Sequence, residues 1–193
     1  MQPRILAFSG SARAASWNTK VLREAVAGAR ETGAEVNLID LRDFPLPLYN
    51  GDLEEAQGLP DNALKLKQML FEHHGLLLAA PEYNASVTPL LKNTIDWMTR
   101  PAPKPELDWA APFANKVVAL VSASTGALAG LRGLIHLRFV LSNLGMLVLP
   151  GQVGVPRAES AFDDDGKLRD VQQREVVRGL GREVVRVARL LAG

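Results

Sequence analysis

The chain has 193 residues, 47% of them hydrophobic, a formal net charge of +1 and no cysteine. This length and composition suit a single domain, residues 1–193, with a substantial core, and exclude a disordered chain. The missing thiols exclude disulfides, thiolate metal sites and cysteine catalysis, and the balanced charge gives no ground for nucleic-acid binding.

The hydrophobic pattern alternates between strand and helix. Residues 4–8 read as a first strand and 16–32 as a helix that buries Val21, Leu22, Ala25, Val26 and Ala29, with Gly33 ending it. A second strand covers 36–39. Residues 41–60, rich in Pro, Gly and acidic side chains, read as a long loop. A helix over 61–73 has Asp61 as its expected cap. The continuous apolar run 75–80 is that of a central parallel strand buried on both faces. A loop over 81–87 leads to a helix over 88–98. Residues 99–115, with Pro101, Pro103, Pro105 and Pro112, form an extended surface loop. A fourth strand at 116–121, a small-residue loop at 122–130, an apolar helix at 131–144 and a fifth strand at 146–149 follow. Residues 151–170 are irregular, with a turn at Asp163-Asp164-Asp165-Gly166, and a last helix covers 171–191. No apolar run reaches the roughly 20 residues of a membrane span, and the N-terminus enters a strand without the pattern of a secretory leader, so a cytoplasmic location is expected.

Five such βα units predict an α/β fold with a parallel sheet and helices on both faces, and ligands in such sheets bind beyond the carboxyl ends of the strands. Three loops leave those ends with unusual chemistry. The first, Ser9-Gly10-Ser11-Ala12-Arg13-Ala14-Ala15-Ser16-Trp17-Asn18, offers hydroxyls, backbone amides and one guanidinium ahead of a helix N-terminus. Phosphate is the ligand that uses those donors. The loop is not a P-loop, because no Gly-Lys-Ser/Thr closes it. It is not the Gly-x-Gly-x-x-Gly dinucleotide fingerprint either. Its side chains favour a monophosphate over a pyrophosphate, the plain alternative being a βα loop in which Ser16 caps the helix. The second loop begins Pro81-Glu82-Tyr83-Asn84, and the third holds Ser124, Thr125 and Gly126.

The combination Gly10-Ser11-x-Arg13-x-x-Ser16-x-Asn18, Pro81-Glu82-Tyr83-Asn84 and Leu91-Lys92-Asn93-x-x-Asp96-Trp97 resembles the NADPH-dependent FMN reductase family, from residue 4 to about residue 170. The resemblance implies a flavodoxin-like fold with five parallel strands in the order 2-1-3-4-5. It implies that Ser11, Arg13, Ser16 and Asn18 hold the FMN phosphate, with Trp17 contributing backbone. Pro81, Glu82, Tyr83 and Asn84 would line the ribityl chain and the isoalloxazine ring, and Ser124, Thr125 and Gly126 would approach its other side. It also implies NADPH or NADH as donor, hydride transfer to flavin N5, and electron transfer to a small acceptor such as a quinone, chromate, an azo compound or a flavin, with ping-pong kinetics. No acid–base dyad or nucleophile is then required, because the flavin carries the chemistry. The alternatives are a flavodoxin-like electron carrier, which the net charge of +1 argues against, and a flavin-free binder of a phosphorylated metabolite.

Other features have plainer readings. Lys92, Asn93, Asp96 and Trp97 read as structural, and His73, His74 and His136 lack metal-ligand spacing. Asp163, Asp165 and Gly166 form a turn and not a calcium loop. Arg174, Arg178, Arg182, Arg186 and Arg189 read as a solvated helix face. Arg13, Arg100 and Arg132 stand as equal candidates for an adenosine phosphate. The apolar helix 131–144, together with Leu90, Leu91 and Ile95, carries more hydrophobic surface than one sheet face needs. With the resemblance, this points to a homodimer or a homotetramer.

Overall fold

The computed structural model describes residues 2–193. Five parallel strands, β1 (Arg4–Ser9), β2 (Glu35–Leu38), β3 (Gly75–Ala79), β4 (Val117–Ala123) and β5 (Leu147–Val155), lie in the order β2-β1-β3-β4-β5. This is the flavodoxin-like doubly wound order. Every residue of β3 is buried, as its continuous apolar run predicts for a strand covered on both faces, and every residue of β4 is buried as well. Alternate residues serve opposite cores. Ile5 and Ala7 pack with α1 (Trp17–Glu31) and α7 (Val171–Leu191). Leu6 and Phe8 pack with α3 (Asp61–Glu72), α4 (Pro89–Met98) and α5 (Leu131–Asn143).

Between α1 and α7 the approach is so close that neither helix tolerates a side chain at the crossing. A Cβ on Gly28 would lie 2.1 Å from the Arg178 carbonyl oxygen, and one on Gly181 would lie 1.9 Å from that of Ala25. Around this crossing the arginines of α7 do not simply face solvent, as their spacing suggested. Arg178 pairs with the buried Glu24 (2.9 Å) and with Glu31 (3.0 Å), and Arg182 pairs with Glu31 (2.7 Å). Arg189 donates to the Thr32 carbonyl at 2.7 Å. Helical spacing shows which residues share a face; it does not show that the face meets the acidic edge of another helix.

Several boundaries move. Asp61 is the first helical residue of α3 and Pro60 the cap, while Thr88 caps α4 by accepting from the Leu91 amide (3.3 Å). The expected loop at 41–60 contains a 3-10 turn (Leu41–Asp43) and α2 (Gly51–Gln57). The region 151–170 contains the last part of β5 and a short α6 (Ala158–Ala161). Strand β5 does not stop at Leu149. Its register against β4 shifts between Val118 and Leu120, which accommodates the Pro150-Gly151 pair, and the strand continues to Val155. Strand β4 likewise includes Ser122 and Ala123. No helix among the described residues is long and apolar enough to cross a membrane.

Candidate functional site

The three loops expected at the carboxyl ends of the strands meet there. They enclose a cleft of about 200 Å³. Its walls are Ser11, Arg13, Ser16, Trp17 and Asn18 from the first loop, Pro81, Glu82 and Tyr83 from the second, and Ala123, Ser124 and Thr125 from the third. Ten of the twelve residues proposed from sequence therefore share one cavity. Asn84 and Gly126 are exposed and lie outside its lining.

The first loop is held open as a donor surface. Gly10 donates to the Ala79 carbonyl (2.8 Å), and its carbonyl accepts from the Thr88 hydroxyl (2.7 Å). A Cβ at Gly10 would lie 2.8 Å from that of Leu91, so only glycine lets the strand end this close to α4. Ser16 caps α1 by accepting from the Thr19 amide (3.4 Å), and Ser11 accepts from the Arg13 amide (3.3 Å). Both hydroxyls accept, so each retains its own proton to donate. The amides of Trp17 and Asn18 lie in the first turn of α1, where a helix leaves its N–H groups without intrahelical partners. The Arg13 guanidinium sits 5.0 Å above the Trp17 ring and makes no ion pair among the described residues. Two hydroxyl donors, a helix N-terminus and an uncompensated guanidinium fit a phosphate monoester.

The first and third loops are clamped together by one side chain. The Asn18 amide donates to the Ala123 carbonyl (2.8 Å) and accepts from the Ala123 amide (3.0 Å). Asn18 thus spends its polar atoms on the end of β4 and sets the spacing of the cleft. Ser122 is wholly buried and donates to the Ala129 carbonyl, which folds the third loop back on its strand.

The second loop is a tight hairpin. Tyr83 and Ser86 exchange backbone hydrogen bonds at 3.0 Å each, with Asn84 (φ 49°) and Ala85 (φ 64°) at its tip. Positive φ at both central residues is the mark of a type I′ turn, for which Asn is a favoured first residue. Asn84 is thus placed by turn chemistry. Glu82 does not offer its carboxylate to the cleft. It binds the Arg132 guanidinium and accepts the amides of Arg132 (3.0 Å) and Gly133 (3.2 Å), so it caps α5 from another loop. Burial pushes the Glu82 carboxyl up, but the Arg132 hydrogen bond and the two amides outweigh it and hold it below its ordinary value. The partnership of Glu82 with Arg132 was not evident in sequence.

Of the arginines weighed for an adenosine phosphate, Arg132 is committed to Glu82. Arg100 is locked by Glu54 (2.9 Å) and packs against Tyr49 and Trp109. Asn93 and Trp97 are structural as expected: both donate to the Pro47 carbonyl, at 2.9 and 2.8 Å, and pin the segment before α2. His73 meets the Met69 carbonyl, His74 accepts from the Arg4 amide (3.0 Å), and His136 meets the Ser86 hydroxyl (3.0 Å).

Comparisons with known proteins place the chain among flavin-dependent reductases by sequence. Residues 3–160 match the model of the NADPH-dependent FMN reductase family. The chain is 36% identical over 176 residues to an NAD(P)H-dependent FMN reductase of Pseudomonas aeruginosa, covering 91% of this chain and 89% of that protein. It is 38% identical over 177 residues to an NADPH:quinone oxidoreductase of Arabidopsis thaliana, covering 89% and 85%. Among solved structures, FerB of Paracoccus denitrificans, an NAD(P)H:acceptor oxidoreductase, superposes with a TM-score of 0.78 at 24% identity over 97% of this chain and 98% of its own, which supports the fold. By the family match over residues 3–160 and the identity to these relatives, the chain belongs to the NADPH-dependent FMN reductase family.

Proposed function

We propose that residues 1–193 act as one FMN-binding domain and that the cleft is the flavin site of an oxidoreductase using NAD(P)H as electron donor. The observation that carries this is the convergence of three loops, at the carboxyl edge of the sheet, on a guanidinium that makes no ion pair among the described residues. Ser11 and Ser16 donate their hydroxyl protons to the phosphate. The first-turn amides of α1 add theirs, and Arg13 supplies the positive charge. Pro81, Tyr83 and the backbone of Glu82 border the ribityl chain and the ring, and Ser124 and Thr125 border its other side. Asn84 and Gly126 act at one remove, by shaping their loops. Asn18 positions, holding the first and third loops at a fixed separation. Glu82 keeps its negative charge on Arg132 and α5, so the phosphate meets no uncompensated carboxylate.

When bound, FMN would supply the redox chemistry: hydride uptake from NAD(P)H at N5 and electron release to a small acceptor (a quinone, chromate, azo compound or flavin), in a ping-pong order. The side chains around the cleft supply no nucleophile or acid–base pair for that chemistry; they bind and orient. Tyr83, half exposed at the rim, forms a wall against which a planar donor or acceptor can stack. The protein works in the cytoplasm as a homodimer or homotetramer. The assembly rests on the outer face of α5, where Leu131, Ile135 (52% exposed) and Phe139 (78% exposed) form an uncovered apolar stripe. Leu91 and Ile95, counted from sequence as part of that excess, belong to the core instead.

The direct test is anaerobic titration of the FMN-loaded protein with NADPH. Bleaching of the visible flavin band, reversed by a quinone, is the expected outcome; tight FMN binding without bleaching would make the protein an electron carrier. In a binding titration, Arg13→Ala should weaken FMN by roughly 10- to 100-fold, the scale of one charge-assisted contact. An unchanged affinity would remove Arg13 from the phosphate site.

A further inference from the structure

A second cavity, of about 400 Å³, opens on the other side of the first loop and shares Ser11 with the proposed flavin cleft. It lies at the carboxyl ends of β1 and β2. Its polar lining is Ser9, Ser11, Thr19, Arg23, Asp40 and Asp43. Its apolar lining is Leu22, Leu38, Ile39 and Phe44. The Ser9 side chain is 7% exposed, and its hydroxyl is the one buried side-chain polar atom without a hydrogen-bond partner among the described residues. A buried hydroxyl left unpaired is destabilising, and a ligand that hydrogen-bonds it removes that penalty.

The charges select the ligand. Asp40 is already satisfied, chelated by the Arg42 side chain and accepting its amide. Asp43 and Arg23 make no ion pair among the described residues. A bare phosphate would meet two carboxylates here, and a purely apolar molecule would strand the hydroxyls. A nucleoside phosphate suits all of the groups. Its ribose diol would donate to Asp43 and exchange hydrogen bonds with Thr19 and, once the buried side chain turns outward, with Ser9; its base would lie against Phe44 and Ile39, and its phosphate would meet Arg23. The volume falls in the ordinary range for small-ligand pockets. We propose that this cavity is a subsite for the adenosine half of the pyridine nucleotide, reached past Ser11 while the nicotinamide end lies at the flavin cleft. This rests on the reading of the protein as an NAD(P)H-dependent enzyme.

The test uses the FMN-loaded protein and 5′-AMP as probe. Calorimetry should detect AMP binding, and AMP should compete with NADPH in steady-state turnover. Arg23→Ala and Asp43→Asn should each weaken AMP about tenfold and raise KM for NADPH by a similar factor while kcat stays within about twofold. Ser9→Ala should also weaken AMP, although the loss of an unpartnered hydroxyl leaves the fold as stable or more so. With reduced nicotinamide mononucleotide, which lacks the adenosine, the variants should lose their kcat/KM defect relative to the parent protein. The proposal is overturned if AMP does not bind, if the variants bind it as tightly as the parent, or if their defect persists with the truncated donor. Should neither donor be oxidised, the reductase reading fails and the donor subsite with it, while AMP binding that depends on Arg23 and Asp43 would leave a nucleotide site of another use.

Discussion

On one face of the sheet α1 and α7 approach so closely that glycine is required on both helices, whereas on the other α5 leaves a row of large apolar side chains in solvent. The first face is closed by direct backbone packing and ringed by the ion pairs of Arg178 and Arg182 with Glu24 and Glu31. The second is closed by side chains of ordinary size and by polar ties from loops. Glu82 reaches across to cap α5, and Lys67 of α3 is fully buried, donating to the carbonyls of Arg100 and Trp109. The first arrangement leaves little freedom for change. The second leaves surface available for a partner and loops available for ligands. Both cavities of functional interest lie at the carboxyl edge, where the first loop leaves β1 between the two faces.

The contrast can be broken most severely at the glycine crossing. Gly181→Ala forces α7 away from α1 and should destabilise the protein by about 3 kcal/mol or more, read by urea unfolding. A loss under about 1 kcal/mol would mean that the helices part easily. Lys67 comes next. Burial pushes its ammonium from the ordinary 10.5 to about 8. Between those values the unfolded chain binds more protons than the folded one, so stability contributed at this site rises with pH across that window. Relative to Lys67→Met, the parent protein should gain roughly 1–3 kcal/mol on moving from neutral pH to about pH 10. A flat difference would show that Lys67 titrates normally.

Glu82→Gln, which removes the charge from the α5 cap, should lower stability by about 1 kcal/mol at neutral pH. The folded carboxyl lies below its ordinary value, so its contribution is present above the unfolded pKa and fades as pH falls through the folded one. The variant and the parent should therefore converge in acid, and a gap that widens there would contradict the cap. The smallest stability effect is expected at Phe139, 78% exposed on α5. Phe139→Glu should shift unfolding by less than about 0.5 kcal/mol yet yield a smaller species by light scattering. An unchanged mass would remove α5 as the proposed subunit contact.

Much of the fold can be read from the chain because the central strands are apolar throughout and the helices α1 and α7 carry clear stripes. Helix α2 is not legible in this way, because none of its residues is buried and no stripe exists. Its signals are its ends: Asn50 accepts from the Asp52 amide, and Gly58 follows at φ 73°. The far half of β5 is hidden by Pro150-Gly151, which look like a strand end. There Arg138 donates to the carbonyls of Val148 (3.3 Å) and Pro150 (3.4 Å) and takes the place of ladder partners. In the site, side chains that gather around the cleft are visible as loop chemistry. Those that act through another residue, such as Asn18 on Ala123 and Glu82 on Arg132, depend on contacts between distant segments that no local pattern announces.

The Asn18 clamp also bears on the order in which the protein becomes functional. It joins residues 105 positions apart, the start of the first helix and the end of the fourth strand. A nascent or proteolysed chain ending before β4 has the hydroxyls, the guanidinium and the helix N-terminus of the first loop, but not the wall formed by the third loop. Such a fragment lacks the complete pocket, and the contact that completes it closes a long loop at a cost in chain entropy. Cofactor retention would then report that the sheet is complete as far as its fourth strand. The bound flavin would stabilise that long-range closure above all, slowing amide exchange at Ala123 more than in the already rigid α1–α7 pair.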